Sequence, residues 1–251
     1  MDPYTGFAER FDLLIDWDHR RKREETFFRR VLPEHVKSVL DCHCGTGFHC
    51  VMLTEMGYYV EGVDLSPEML RVAGRNLEVR GLKVRLHQAD VKSLQLVPGR
   101  KFDCVLSMGN SLPHEPTDEC LLKALRSMKQ ALVPGGICII HMEDFDALYR
   151  DRDRFIPSRF KRHAGGTEVF IFAIDYLRDR VIFNILSVIE RGGKAEFHVD
   201  VVEYNPVPVK KLEQLMLETG FTDLAIYCDF RLTPHGLRDT YDAIFVACAP
   251  R

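Results

Sequence analysis

Tryptophan occurs once in this 251-residue chain, and long apolar runs do not occur at all. No stretch approaches the roughly 18 residues a membrane-spanning helix needs, so no membrane partner is expected. Met1-Asp2-Pro3-Tyr4 has none of the apolar core of a secretory signal, which points to a cytoplasmic protein. A cationic excess is missing too: 34 Lys and Arg face 37 Asp and Glu, a net charge of -3. That balance makes no case for nucleic acid or an anionic surface. The eight cysteines are not spaced as a disulfide framework, since Cys104, Cys138 and Cys248 lie inside apolar runs. Cys42, His43, Cys44, His49 and Cys50 do cluster, but no second Cys-x-x-Cys pair completes a tetrahedral set. The cluster therefore reads as small buried or turn thiols, with no metal expected. There is no internal repeat or low-complexity tract. What remains, 46% hydrophobic, is enough for a substantial α/β core carrying an insertion.

The runs alternate between strand and helix. Strands are expected at 38–41, 58–63, 83–87, 102–108 and 137–142, with helices at 47–57, 67–80 and 117–132 between them. Such alternation argues a parallel sheet with helices on both faces. In the 67–80 helix, Ser66 suits the N-cap, Pro67 the first turn, and Met69, Leu70, Ala73 and Leu77 form the apolar stripe. Pro134-Gly135-Gly136 stops the third helix. A helix at 209–219, closed by Gly220, precedes two last strands at 221–227 and 243–249. Residues 1–35 read as a charged helical cap with Phe7, Phe11, Leu14 and Ile15 on one face, lying over the mouth of the site. The core is expected at 36–142 and 206–251. Residues 143–205 form a β-rich substrate-side insertion: a basic loop (Arg150, Arg152, Arg154, Arg159, Lys161, Arg162), then strands at 168–176, 181–189 and 195–204. Turns at Arg178-Asp179 and Gly192-Gly193 separate those strands.

The chemistry concentrates in Ser38-Val39-Leu40-Asp41-Cys42-His43-Cys44-Gly45-Thr46-Gly47 and in Tyr58-Tyr59-Val60-Glu61-Gly62-Val63-Asp64. An apolar run ends at an acid and enters a glycine turn; a second run ends at another acid. This is half of a nucleotide site, because the glycines let backbone approach a ligand and a strand-end acid can accept both hydroxyls of a ribose. A dinucleotide fingerprint needs a third glycine where this chain has Cys50.

Asp41-x-x-x-Gly45-x-Gly47 with Asp64 resembles the class I S-adenosylmethionine-dependent methyltransferases. The resemblance implies a Rossmann-like, mostly parallel seven-stranded sheet whose last strand is antiparallel, and S-adenosyl-L-methionine as cofactor. It places Asp41 by the methionine ammonium, the backbone of Cys44 to Gly47 beneath the cofactor, Asp64 on the ribose, and Asp90 and Val91 on the adenine. Cys42, Leu65, Met69, Ser107 and Met108 complete the implied contacts. A nucleic-acid methyltransferase would show (Asn/Asp)-Pro-Pro-aromatic after strand 4; here the segment is Ser107-Met108-Gly109-Asn110-Ser111-Leu112-Pro113-His114. Gly109-Asn110-Ser111 with His114 is similar to the glycine/sarcosine N-methyltransferases. That resemblance implies Asn110 and His114 in the acceptor pocket, and Tyr4 and Arg23 closing over the cofactor and its carboxylate. It implies a small-molecule acceptor, methylated by direct in-line transfer at an amine nitrogen, with oxygen or carbon, or a non-catalytic S-adenosylmethionine-binding module, as alternatives. An oligomer is compatible with it.

One departure matters. The family's His-Arg-Asn-Tyr-Asp carries the arginine that grips the acceptor's carboxylate, whereas this chain reads Met142-Glu143-Asp144-Phe145-Asp146. Glu143 in that place disfavours glycine, whereas the nearby arginines and Lys161 would favour an anion if they turn inward; Glu143, His114 or water could take the proton of an amine acceptor.

Overall fold

The computed structural model describes residues 6–96, 100–163, 166–238 and 240–251. Tyr4 lies outside the described residues.

The chain opens with α1 (Ala8–Leu14) and α2 (Trp17–Val31), followed by β1 (Ser38–Cys42), α3 (Phe48–Glu55), β2 (Tyr59–Asp64), α4 (Pro67–Glu78) and β3 (Arg85–Gln88). Next come β4 (Phe102–Ser107), α5 (Asp118–Gln130), β5 (Leu132–Glu143) and α6 (Phe145–Asp151). Four strands, β6 (Phe155–His163), β7 (Gly166–Tyr176), β8 (Val181–Arg191) and β9 (Lys194–Tyr204), precede α7 (Val209–Thr219), β10 (Thr222–Tyr227) and β11 (Asp242–Cys248).

Seven strands form one sheet in the order β10-β11-β5-β4-β1-β2-β3. β1 pairs in parallel with β2 and β4, while β11 runs antiparallel to β5 and β10. This is a Rossmann-like α/β sheet. All of β1 is buried, as a strand covered by helices on both faces requires. α4 shows how the helices are set. Ser66 Oγ accepts from the Met69 N–H, Pro67 takes the first turn, and Met69, Val72, Ala73 and Leu77 are buried, each large side chain adding about 1.5 to 3 kcal/mol. Leu70, expected in that stripe, is only partly buried.

Two expectations need correction. β5 begins at Leu132, before Pro134-Gly135-Gly136, and its pairing with β4 jumps from Phe102↔Leu132 to Cys104↔Ile137. The three residues that end a helix thus sit in an irregular stretch of strand. The basic segment is the end of α6 and then a fourth strand, β6, at the edge of an antiparallel sheet ordered β6-β7-β8-β9. An edge strand tolerates the charges that made this stretch read as a loop, and its register shifts between Ile156 and Arg159.

Candidate active site

A cavity of about 1310 Å³ opens where β1, β2, β4 and β5 end, bounded also by α1, α2 and β9. Its floor is the turn after β1. Gly47 has φ +88°, and a Cβ there would stand 3.2 Å from the Cβ of Ala73 in α4; only glycine allows both the backbone and the contact. Asp64 anchors the turn, since its carboxylate accepts from the N–H of Gly45 at 2.8 Å and of Ser66 at 2.9 Å.

β4 and β2 flank β1, so their ends stand on opposite sides of this turn. On the β2 side lie Asp64, Leu65 and Met69; Asp90, Val91 and Lys92 follow β3. Lys92 Nζ bridges Asp90 at 3.1 Å and Glu115 at 2.8 Å. On the β4 side lie Met108, Gly109 and Asn110. Gly109 has φ +72°, and a Cβ there would meet the Arg20 guanidinium at 3.3 Å.

Arg20 comes from α2. Its Nε donates to Glu24 Oε1 at 2.7 Å, and its guanidinium stacks over Phe48. Glu24 is fully buried and also accepts from His49 Nε2 at 2.7 Å and Arg23 Nη2 at 3.3 Å. Burial pushes the Glu24 carboxyl up, but Arg20 and His49 outweigh it and hold it well below the usual range.

Beyond Asn110, the wall carries His114, Glu143 and Tyr204. Asn110 Oδ1 accepts from the Glu143 N–H at 2.9 Å, and the Tyr204 ring lies 4.7 Å from that of His114. Burial lowers the His114 imidazole to about 4, so it is neutral at physiological pH. Burial raises the Glu143 carboxyl to about 8; Asp242 and Asp144 add to this and Arg23 opposes it.

Of the residues singled out from sequence, Arg23, Cys44, Gly45, Asp64, Leu65, Met69, Asp90, Val91, Met108, Asn110, His114 and Glu143 lie on the cavity wall. Asp41, Cys42, Gly47 and Ser107 do not. Cys42 packs in the core with Val63 and Val105, the alternation of a strand turning it inward. Ser107 is fully buried and bonded to His43 Nδ1 at 3.0 Å. Asp41 is fully buried beneath the turn, accepting from the Cys50 thiol at 3.6 Å while its other oxygen has no hydrogen-bond partner. Burial raises its carboxyl to about 7, with Cys50 and Arg20 opposing and Asp64 and Glu24 adding.

Arg20, His141 and Tyr204 line the cavity without having been singled out from sequence. The basic side chains of Arg150, Arg152, Arg154, Lys161 and Arg162 do not line it; Arg150 pairs with Asp151 and Arg154 with Asp175.

A methyltransferase-domain family model matches residues 39–136. The glycine/sarcosine N-methyltransferase of Parasynechococcus marenigrum is 41% identical over 227 residues, spanning 90% of this chain and 77% of that protein. That of Aphanothece halophytica is 32% identical over 238 residues, spanning 92% and 83%. An S-adenosylmethionine-bound amino pentose methyltransferase from Micromonospora echinaspora shares the fold, with TM-score 0.77 at 20% identity over 98% of this chain and 96% of that one. The chain belongs to the class I S-adenosylmethionine-dependent methyltransferases. It is a methyltransferase enzyme with S-adenosylmethionine as its cofactor.

The cavity suits that cofactor. It has a guanidinium on one side of the glycine turn and a carboxylate on the other, and a Cβ at Gly45 would project into open space. Asp64→Ala is expected to weaken cofactor binding by about 1 to 3 kcal/mol, the cost of leaving buried partners unpaired. Calorimetry that finds an unchanged dissociation constant would remove Asp64 from the site.

Proposed function

We propose that this enzyme methylates the nitrogen of a small amine that carries no carboxylate beside it, with residues 36–142 and 206–251 as the cofactor-binding core, residues 1–35 capping it and 143–205 on the acceptor side. The carrying observation is Glu143. Its carboxyl stands on the cavity wall beside Asn110, with no hydrogen bond or ion pair to a described side chain. Arg23, the cation acting on it, is held by Glu24, stacks over Phe230 and lies 3.9 Å from Asp242. Among the described residues nothing on that wall is set to grip a substrate acid, and Glu143, once ionised, makes one costly to bind.

Arg20 would hold the cofactor's carboxylate, Asp64 its ribose, and Asp90 and Val91 its adenine. When bound, the cofactor supplies an electrophilic methyl on a sulfonium. The chain's part is to hold the acceptor nitrogen in line and keep water out, effects that reach roughly 10⁵ to 10⁸ M in intramolecular reactions. Asn110 and Tyr204 would orient the amine, and Glu143 Oε would take the proton it must lose. The amine acceptors in the names of the two relatives support nitrogen as the nucleophile.

The test is transfer of labelled methyl to a panel of amines, alcohols and carbon acids. Carboxylate-free amines should be the best acceptors, with glycine and sarcosine poor ones. Turnover of glycine matching the best amine would contradict the reading of Glu143.

A pH profile gives a further check. Glu143 must be ionised to take a proton, so its contribution should appear as pH rises through about 8, and Glu143→Gln should flatten that limb. The stability sign is opposite. A carboxyl raised above its unfolded value of 4.5 keeps its proton when folded, so wild-type stability falls as pH climbs from there through about 8. Glu143→Gln should therefore raise the melting temperature more at about pH 9 than at about pH 6. Equal gains at both would contradict the raised carboxyl.

A further inference from the structure

Gly109 and Asn110 are consecutive residues with positive φ, +72° and +63°. Asparagine tolerates this region better than most side chains, but two such residues in a row persist only where the surroundings fix them. Here one residue holds both. The Asn110 N–H donates to the backbone carbonyl of His141 at 3.1 Å, and the Gly109 N–H donates to His141 Nδ1 at 3.2 Å. A backbone N–H can only donate, so Nδ1 carries no proton and Nε2 must carry it. Nε2 then donates to Asp242 Oδ1 on β11 at 2.9 Å. The ring is 5.1 Å from Phe230, which also lies under Arg23.

We propose that His141, oriented by Asp242, is a positioning residue for methyl transfer, which rests on the reading above. It clamps the turn whose one side faces Arg20 and whose other side presents the Asn110 amide to the acceptor. His141 and Glu143 are two apart on β5 and so share a face, and the Glu143 N–H in turn binds Asn110 Oδ1. The clamp thus ties the cofactor wall to the acceptor wall through one imidazole in its neutral form.

Two substitutions separate positioning from simple packing. Asparagine can place its side-chain oxygen where Nδ1 stands; leucine fills the buried space better but accepts nothing. The probe is S-adenosylhomocysteine, titrated calorimetrically into the full chain. His141→Asn should keep its affinity within about threefold of wild type, while His141→Leu should lose about tenfold or more, even where it melts higher. Affinity retained by leucine and lost by asparagine would overturn the proposal. Hydrogen exchange of the wild-type chain needs no variant and no ligand: the Gly109 and Asn110 amides should be protected, and exchange at open-chain rates would overturn the clamp. Failure of the wild type to bind S-adenosylhomocysteine would instead contradict the cofactor site, and the exchange measurement would still decide the clamp.

Discussion

Arg20→Leu is expected to weaken binding of S-adenosylmethionine and S-adenosylhomocysteine by about 2 to 5 kcal/mol, the range for removing one partner of a buried charge pair. Its guanidinium stands against Gly109 on the cavity wall, with Nε fixed by Glu24. A planar fork held on one side has its other donors aimed for a carboxylate. Arg20→Lys should recover only part of the loss, since an ammonium cannot bind Glu24 and a ligand in the same geometry. A dissociation constant for Arg20→Leu equal to wild type would place the cofactor's carboxylate elsewhere.

Glu24→Ala should be the most destabilising change in the site. The carboxylate is fully buried and answers Arg20, Arg23 and His49 together. Deleting it strands buried positive charge, at about 3 to 5 kcal/mol. At roughly 2 to 4 °C per kcal/mol for a chain of this size, the melting temperature should fall by about 6 to 20 °C. The pH dependence follows from a depressed carboxyl: the stability it supplies is complete above its unfolded value of 4.5 and is lost as pH falls toward the folded one. Glu24→Gln should therefore lose most of its deficit in acid. A deficit that is constant with pH would mean that Glu24 acts by shape alone.

The glycine turn and the acids around it were legible because strand, turn and helix follow one another at fixed spacing, which puts Gly45, Gly47 and Asp64 at strand ends whatever the packing. Asn110 and His114 follow β4 and Glu143 ends β5, and the structure brings all three to one wall. Arg20 was not legible. Asp18 to Arg23 is an unbroken run of charged residues and histidine, so no apolar phase says which arginine faces the cavity. His141 sits inside an apolar strand and reads as a core residue; its role depends on two positive-φ residues that local pattern does not reveal. Tyr204 reaches the site from the edge strand of the second sheet, a long-range placement. Asp41 shows the limit of a motif: the acid is where the pattern puts it, yet it lies beneath the turn and off the cavity wall.

The most direct test is a crystal structure with S-adenosylhomocysteine bound. The ribose hydroxyls should lie on Asp64 and the carboxylate on Arg20 beside Gly109, leaving the sulfur facing Asn110 and Glu143. A ligand in the reverse orientation, or one whose sulfur faces away from Asn110, would contradict the assignment of both the cofactor wall and the acceptor wall.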